Sequence, residues 1–322
     1  MQQILLNKGA NIEQILGKVQ ELLIEVCKSN SQYCNYLTEY LLNRGGKRLR
    51  PLLVILIGKN NNMDELVKVA AASELIHTAS LVHDDIVDNS PLRRGIQTIN
   101  SRWNNSVAVL VGDFLFAKAF ELLCEIKQGE ILSHYTKAIS YMSIGELEQL
   151  KNRFNPGKTV EQYYLEIYGK TGVLIATCCK AGGILRDMSQ NEVNNLTVYG
   201  TEVGYAFQIM DDILDIKGNE NTLGKPIFND LKEGNITLPL ILLLQKMSNR
   251  GLVEEIIVEK RFTENNLKFI YNMLSEYNII ELCLEIAKNH IQKALMALDK
   301  IEDCNEKNKL KKIAEFILTR NY

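Results

Sequence analysis

Two aspartate clusters, each at the end of an apolar helical pattern, constrain this sequence more than any other feature. The first covers residues 84–88 (DDIVD) and the second covers residues 211–215 (DDILD). Carboxylates near a helix C-terminus cost about 0.3–1 kcal/mol each, because that end carries partial negative charge. Two such clusters in one chain therefore indicate a shared cationic ligand.

The spacing within each cluster favours a divalent metal. At 3.6 residues per turn, Asp84 and Asp88 lie one above the other on one helix face, and Asp211 and Asp215 repeat this arrangement. Facing carboxylate pairs suit hard cations, and Mg²⁺ is the usual ion where phosphate oxygens complete the coordination. A solvated helix end explains one cluster equally well. It explains poorly two clusters that are each followed by basic residues and glycines.

Helical periodicity predominates, and we find no alternating strand pattern of any length. The predicted helices cover residues 11–42, 65–88, 105–127, 131–152, a segment from 160, the segment before the second cluster and much of 240–322. Predicted loops include residues 186–195, and phenylalanines 114, 116 and 120 are predicted to be core residues. No linker or low-complexity stretch interrupts the pattern, so we predict an all-α fold and a single domain over residues 1–322.

Composition excludes several classes of protein. The 322-residue chain is 46% hydrophobic and 24% charged with a net charge of −2, so nothing implies bulk attraction to nucleic acid. Seven cysteines without a CxxC pair favour reduced thiols and a cytoplasmic location. We expect no signal peptide, because the first residues lack a basic region followed by an apolar run. No uncharged apolar segment reaches about 18 residues, so no membrane span is predicted.

Basic residues accompany the aspartates. Residues 45–51 read GGKRLRP, which places three cations after two glycines and before a proline that can begin a helix. This is a plausible anion site, with a solvated basic turn as the alternative. Arg93 and Arg94 follow the first cluster and offer planar, permanently charged donors for phosphate. His77 lies within about 20° of the line through Asp84 and Asp88. A satisfied buried histidine is an equal alternative for His77.

The second half of the chain repeats this combination. Lys170 and Thr171 interrupt an apolar helix between two glycines, which permit a local bend. Gln208 lies on the same helix face as the second aspartate cluster, at positions i, i+3, i+4 and i+7. These polar groups therefore belong with the aspartates rather than with the core.

Together these motifs resemble the trans-isoprenyl diphosphate synthases, the polyprenyl synthetase family. The resemblance spans about residues 45–239 and is most similar to the long-chain branch, including heptaprenyl synthase catalytic subunits. It rests on the GGKRLRP box, residues 84–88 with 93–95, Lys170-Thr171, Phe207-Gln208, residues 211–215 and Gly224-Lys225, in that order. Asn235, where many relatives have lysine, and Asn229, where a glycine is common, depart from the pattern outside the motifs assigned to chemistry.

The resemblance implies a single large bundle of antiparallel helices around a central cavity, usually in a dimer. It also implies Mg²⁺, with about three ions per active site. Three aspartates would ligate the metal bound to the allylic diphosphate: Asp84, Asp88 and Asp211. Asp212 and Asp215 would support these ligands through water, and Asp85 would orient its neighbours.

Substrate roles follow from the same resemblance. Three cations would hold the allylic diphosphate, for example farnesyl diphosphate: Arg93, Lys170 and Lys225. Four residues would hold isopentenyl diphosphate: Lys47, Arg50, His77 and Arg94. Metal and cations would neutralise the leaving pyrophosphate, so that the allylic C–O bond ionises. The Thr171 hydroxyl, the Lys170 carbonyl and Gln208 would stabilise the carbocation, and the departing pyrophosphate would accept the proton.

The predicted product is a long-chain all-trans polyprenyl diphosphate for quinone side chains, made by head-to-tail condensation. Ala79 and Ser80 precede the first cluster, where short-chain relatives tend to carry bulky aromatics. Small residues leave the pocket open, so we expect roughly six to eight isoprene units. A shorter-chain farnesyl or geranylgeranyl synthase is the alternative, and any of the three phenylalanines could instead form the pocket floor.

Three rival functions remain. A class I terpene cyclase also uses an aspartate-rich helix, but the second DDILD cluster and the GGKRLRP box favour elongation. A metal phosphohydrolase could use His83 beside Asp84, yet the chain has only four histidines. A non-catalytic helical partner subunit would not need both intact clusters. The sequence leaves open a homodimer or a heterodimer with a small partner subunit, including a catalytic chain inactive without that partner.

Overall fold

The computed structural model describes residues 10–43, 46, 48–58, 62–93, 95–218, 228–302 and 305–319. Almost every element in these ranges is a helix, so the predicted all-α class is confirmed. Two strands of two residues each form a small antiparallel hairpin that the sequence pattern did not indicate. None of the described helices is long and apolar enough to cross a bilayer.

The chain divides into two compact units. The first unit comprises Met1–Ile139, Thr177–Thr197 and Cys304–Leu310, and the second comprises Ser140–Ala176, Val198–Asp303 and Lys311–Tyr322. The single domain predicted over residues 1–322 stays a prediction. The helices with residues in both units are α7 (Glu130–Lys151), α9 (Val173–Leu185), α10 (Gln190–Lys217) and α16 (Asn305–Leu318).

The remaining elements of the first unit are α1 (Ala10–Val26), α2 (Gln32–Leu42), α3 (Leu49–Gly58), α4 (Met63–Val87), β1 (Leu92–Arg93), β2 (Ile96–Gln97), α5 (Ile99–Arg102) and α6 (Asn105–Cys124). Helix α4 packs along α6 and also contacts α1 and α3. Residues with zero exposure on these two helices include Leu75 and Ile76 from α4 and Leu115 and Ala119 from α6.

Helix α4 begins and ends at recognisable signals. The side chain of Asn62 accepts a hydrogen bond from the Glu65 amide at the N-terminus. At the C-terminus, Asp88 is the cap residue and Asn89 adopts a left-handed conformation with φ 50° before Ser90 and Pro91. The first aspartate cluster is therefore fixed at the last turn of a helix whose other faces are buried, as the sequence predicted.

The remaining elements of the second unit are α8 (Val160–Ile167), the π-turn (Tyr168–Gly172), α11 (Asn229–Glu233), α12 (Leu238–Lys246), α13 (Gly251–Val258), α14 (Glu264–Glu276) and α15 (Ile279–Asp299). Helix α12 packs against α14 and α15, and α8 continues directly into the single π-helical turn. The bend expected from Gly169 and Gly172 is this π-turn, in which the amide of Val173 donates to the carbonyl of Tyr168.

Three sequence predictions about these elements were wrong. Residues 11–42 form two helices rather than one, because Ser31 accepts a hydrogen bond from the Cys34 amide and begins α2. Residues 186–195 are not all loop, because α10 begins at Gln190. Ser189 and Glu192 exchange side-chain and backbone hydrogen bonds there, as in a capping box. The three phenylalanines of α6 are half-buried rather than core residues.

Candidate active site

The first aspartate cluster presents two different environments. Asp84 and Asp88 are half-buried at the end of α4, whereas Asp85 is buried. Asp85 Oδ1 accepts a hydrogen bond from Arg93 Nε at 2.7 Å, and the Asn100 amide nitrogen donates to the Asp85 carbonyl at 3.0 Å. Asp85 therefore ties the hairpin and α5 to the helix that carries Asp84 and Asp88.

A cavity of about 130 Å³ opens beside this cluster in the first unit. Its lining includes His77, Asp85 and Arg93 together with Arg48 and Glu74. Arg48 donates to Glu74 at 2.5 Å. Three of the predicted site residues, His77, Asp85 and Arg93, are thus brought together at one cavity.

The other predicted residues of the first unit have distinct positions. Arg50 has a buried Nε without a hydrogen-bond partner among the described residues, and burial lowers the pKa of this guanidinium. Ala79 is completely buried, and half-buried Ser80 donates its hydroxyl to the His77 carbonyl at 2.9 Å. Ala79 therefore faces the core, and Ser80 is the more accessible of the two predicted chain-length residues.

His83 lies against α6. Its Nε2 contacts the Val109 carbonyl at 3.2 Å and lies 3.6 Å from Asp113, and its ring lies 5.8 Å from the Phe116 ring. His83 of α4 therefore packs against α6 in a structural role, and this weakens the phosphohydrolase alternative.

In the second unit, paired glycines bring α10 against the π-turn. A Cβ added at Gly204 would lie 2.6 Å from the Gly172 Cα, closer than a side chain permits. This close approach places Gln208, one turn further along α10, beside Thr171. The Thr171 hydroxyl donates to Gln208 Oε1 at 3.0 Å.

The contact continues into a chain of hydrogen bonds. Gln208 Nε2 donates to Asp212 Oδ1 at 3.0 Å, and the Tyr163 hydroxyl donates to Asp212 Oδ2 at 2.6 Å. Asp212 is 1% exposed and Tyr163 is 2% exposed. Both Asp212 oxygens therefore accept bonds within the protein, and the chain orients the Gln208 amide so that its oxygen faces Thr171. Sequence analysis missed Tyr163, although its place two turns before Lys170 and Thr171 is a usable signal.

Burial dominates the electrostatics of the second cluster. It raises the pKa of Asp212 to about 7, with the neighbouring negative charge of Asp230 adding to the effect. Burial and Asp230 likewise raise the pKa of Asp215 to about 6. Asp215 accepts bonds from the amides of Asn229 and Asp230, both at 3.0 Å, and so holds the first turn of α11. Asp211 is half-buried on the same helix.

Lys170 is exposed, and its ammonium donates to Gln149 Oε1 at 3.3 Å. A buried ion pair between Lys158 and Glu166 lines the same small cavity as Lys170, and the two residues are 6% and 3% exposed. Lys158 also donates to the Ile236 carbonyl at 2.8 Å, and Asn152 donates to Glu166 at 2.9 Å. Nothing in the local sequence pattern indicated this pair, because the contact depends on the turn between α7 and α8.

Three predicted site residues lie outside the described residues. These are Lys47 of the GGKRLRP box, Arg94 after the first cluster and Lys225 after the second. Their assigned roles stay predictions.

The donor atoms present suit Mg²⁺. Asp84, Asp88 and Asp211 each offer carboxylate oxygens on half-buried side chains, the ligand type that Mg²⁺ prefers. Among the described residues, no three His, Cys, Asp or Glu side chains converge into a ready-made metal cage. Mg²⁺ ordinarily binds through one or two carboxylates and completes its coordination with water and substrate phosphates.

An almost entirely helical fold with an aspartate cluster near the end of each of two helices is typical of the isoprenoid synthase class. Solved structures of this class match the chain closely. Within that class the chain belongs to the polyprenyl synthetase family, whose model matches residues 31–274. It is therefore a prenyltransferase of the trans-polyprenyl diphosphate synthase kind, and this family uses isoprenyl diphosphate substrates.

Known relatives cover nearly the whole chain. Heptaprenyl diphosphate synthase component 2 of Bacillus subtilis (strain 168) is 33% identical over 285 residues, covering 88% of this chain and 81% of that protein. A decaprenyl diphosphate synthase from Rhodobacter capsulatus superposes with a TM-score of 0.91 at 31% identity, covering 96% and 97% of the two chains. A polyprenyl synthase from Caulobacter crescentus CB15, complexed with calcium and isoprenyl diphosphate, gives a TM-score of 0.88 at 33% identity over 96% and 95%.

Proposed function

We propose that the chain catalyses the Mg²⁺-dependent head-to-tail condensation of isopentenyl diphosphate with an allylic diphosphate, giving a long-chain all-trans polyprenyl diphosphate. The observation that carries this proposal is the hydrogen-bond chain from Tyr163 through Asp212 and Gln208 to Thr171, beside exposed Lys170. Because the Thr171 hydroxyl donates its proton to Gln208, its lone pairs remain directed away from that bond. These lone pairs can stabilise a carbocation, and the Lys170 ammonium can hold the diphosphate as it departs.

Mg²⁺ would be held by Asp84, Asp88 and Asp211, about three ions per active site, and when bound it would neutralise charge on the leaving pyrophosphate. The calcium in the Caulobacter crescentus complex supports a divalent ion. Asp212 and Asp215 would support these metal ligands through water and Asp85 would orient its neighbours, and each of the three also bonds to another part of the protein. Asp85 holds Arg93, Asp212 orients Gln208, and Asp215 holds α11.

Cationic side chains would bind the two substrates. For the allylic diphosphate we propose Arg93, Lys170 and Lys225; for isopentenyl diphosphate we propose Lys47, Arg50, His77 and Arg94. The buried Nε of Arg50, which has no partner in the part of the chain that the structure describes, and the cavity lined by His77 and Arg93 support anion binding in the first unit.

We propose a product of roughly six to eight isoprene units, since a small residue at Ser80 leaves space one turn before the aspartates. Quinone side-chain synthesis in the cytoplasm is the proposed role. A homodimer is the proposed assembly. The Bacillus subtilis relative is component 2 of a heptaprenyl diphosphate synthase, which favours, as a second candidate, a catalytic subunit that requires a small partner chain.

The test is product analysis with the purified single chain. Farnesyl diphosphate, labelled isopentenyl diphosphate and Mg²⁺ are incubated with it, and the products are resolved by length, with a chelator-treated sample as control. A discrete long polyprenyl product, absent after chelation, is the expected result. Substrate binding without product would favour the partner-dependent subunit. A cyclic hydrocarbon product, or no diphosphate binding at all, would refute the proposal.

A further inference from the structure

A second cavity, of about 20 Å³, lies beside Lys170 in the second unit. This volume accommodates a single oxygen-sized group. Its lining includes Gln149, Lys158, Lys170, Asp230 and Asn235. Gln149 belongs to α7, is 6% exposed, and is not in any motif that the sequence analysis selected.

The orientation of the Gln149 amide is determined by its neighbour. A lysine ammonium has only donors, so the atom facing Lys170 must be the Gln149 oxygen, as the 3.3 Å contact shows. The other end of the amide is therefore Nε2, which is buried and has no hydrogen-bond partner among the described residues. An unpaired buried donor is costly, so an acceptor from outside the chain is expected there.

Lys170 is the group at this cavity that can accompany an anionic acceptor. Lys170 next to Gln149 is exposed, so a ligand can reach it from solvent. Two of the lining carboxylates are already engaged, because Glu166 pairs with Lys158 and both oxygens of Asp212 accept hydrogen bonds. Asp230 adds negative charge at the same cavity, which the metal ions that accompany a diphosphate would offset.

We propose that Gln149 is a diphosphate-binding residue that donates from Nε2 to an oxygen of the allylic diphosphate held by Lys170. This inference rests on the proposed function, since it assigns a further ligand to the same substrate. The rival occupant is one water molecule that bridges Gln149 Nε2 and Asn235 Oδ1, which is also buried without a partner among the described residues.

The experiment measures binding of inorganic pyrophosphate with Mg²⁺ by isothermal titration calorimetry to the wild-type chain, Gln149→Glu and Gln149→Leu. Gln149→Glu keeps an oxygen facing Lys170 and replaces the donor with a negatively charged oxygen. Gln149→Leu removes both ends. Gln128→Leu is the matched control, because Gln128 Oε1 is also buried without a hydrogen-bond partner among the described residues, and Gln128 belongs to the first unit, not to the unit of Lys158 and Lys170. Thermal unfolding identifies which variants are folded, and either folded Gln149 variant suffices.

We expect both Gln149 variants to bind pyrophosphate about 10-fold or more weakly, because a hydrogen bond to a charged oxygen is lost. The KM for the allylic diphosphate should rise while the KM for isopentenyl diphosphate stays unchanged. If the wild-type chain binds pyrophosphate, and Gln149→Glu and Gln128→Leu bind it equally tightly, this inference alone is overturned. The bridging water is then the occupant of the cavity. Absence of Mg²⁺-dependent pyrophosphate binding in the wild-type chain would overturn the proposed function as well.

Discussion

The hydrogen bond from Tyr163 to Asp212 makes a quantitative test of how the second unit orients its polar groups. Tyr163→Phe removes one oxygen atom and keeps the ring, which packs at 5.7 Å from the Tyr164 ring. Asp212 then loses the shortest of its hydrogen bonds, at 2.6 Å, while remaining buried. The carboxylate that holds Gln208 would then be less fixed, and Gln208 in turn would orient Thr171 less well.

The size of the effect follows from the burial of the acceptor. Above pH 7, where Asp212 is charged, a hydrogen bond to it contributes about 1.5–3 kcal/mol. If this loss falls on the transition state, kcat decreases by about 10- to 100-fold, since about 1.4 kcal/mol corresponds to a factor of ten. KM for both substrates should change little, because Tyr163 would act through Asp212 and Gln208 rather than on either diphosphate.

Steady-state kinetics with farnesyl diphosphate and labelled isopentenyl diphosphate measure both parameters. Tyr135→Phe is the matched control: Tyr135 is also completely buried, and its hydroxyl donates to the weak acceptor Cys178 Sγ at 3.8 Å rather than to a carboxylate. The reasoning is refuted if Tyr163→Phe is folded and has a kcat within about twofold of the control.

Three further predictions concern product length, pH and stability. Ser80→Phe should shorten the product by about one isoprene unit or more, because an aromatic ring would fill space one turn before Asp84; an unchanged chromatographic length distribution would contradict this. Burial raises the Asp212 pKa to about 7 from 3.8. The folded state therefore holds its proton more tightly than the unfolded state, and the metal-free chain should lose up to about 4 kcal/mol of stability as pH rises between these values. Urea unfolding across that range should show a flatter pH dependence for Asp212→Asn, and parallel curves would exclude this assignment. Lys158→Met should destabilise the chain by about 3–5 kcal/mol because Glu166 is left buried and unpaired, whereas Lys158→Met with Glu166→Leu should recover most of the loss in the same assay.

The parts of the site that follow local spacing could be predicted from the sequence. Asp84 and Asp88 lie at the end of α4, and Gln208 shares a face with Asp212, because helical geometry alone places residues four apart together. The bend at Lys170 was likewise predictable from its flanking glycines, although its π geometry was not.

The remaining features depend on contacts between distant elements. Tyr163 meets Asp212 only because glycines let α10 approach the π-turn, and no local pattern encodes that approach. No sequence motif connects Lys158 with Glu166, yet tertiary packing buries them as an ion pair. In contrast, the start of α10 at Gln190 was encoded locally by Ser189 and Glu192, a capping signal that the helical periodicity alone did not reveal.

Because Tyr168–Gly172 form a π-turn, the number of residues in this segment determines the geometry of the site. A π-turn contains one residue more than an α-helix needs to cover the same path. Deleting Gly169 would allow α8 and α9 to merge into one regular helix, and would turn Lys170 and Thr171 by about 100° relative to α8. Every side chain of the site would still be present, but Thr171 would face away from Gln208. A gap of one residue at this turn in another polyprenyl synthetase would therefore indicate a rearranged site more reliably than a substitution of either residue.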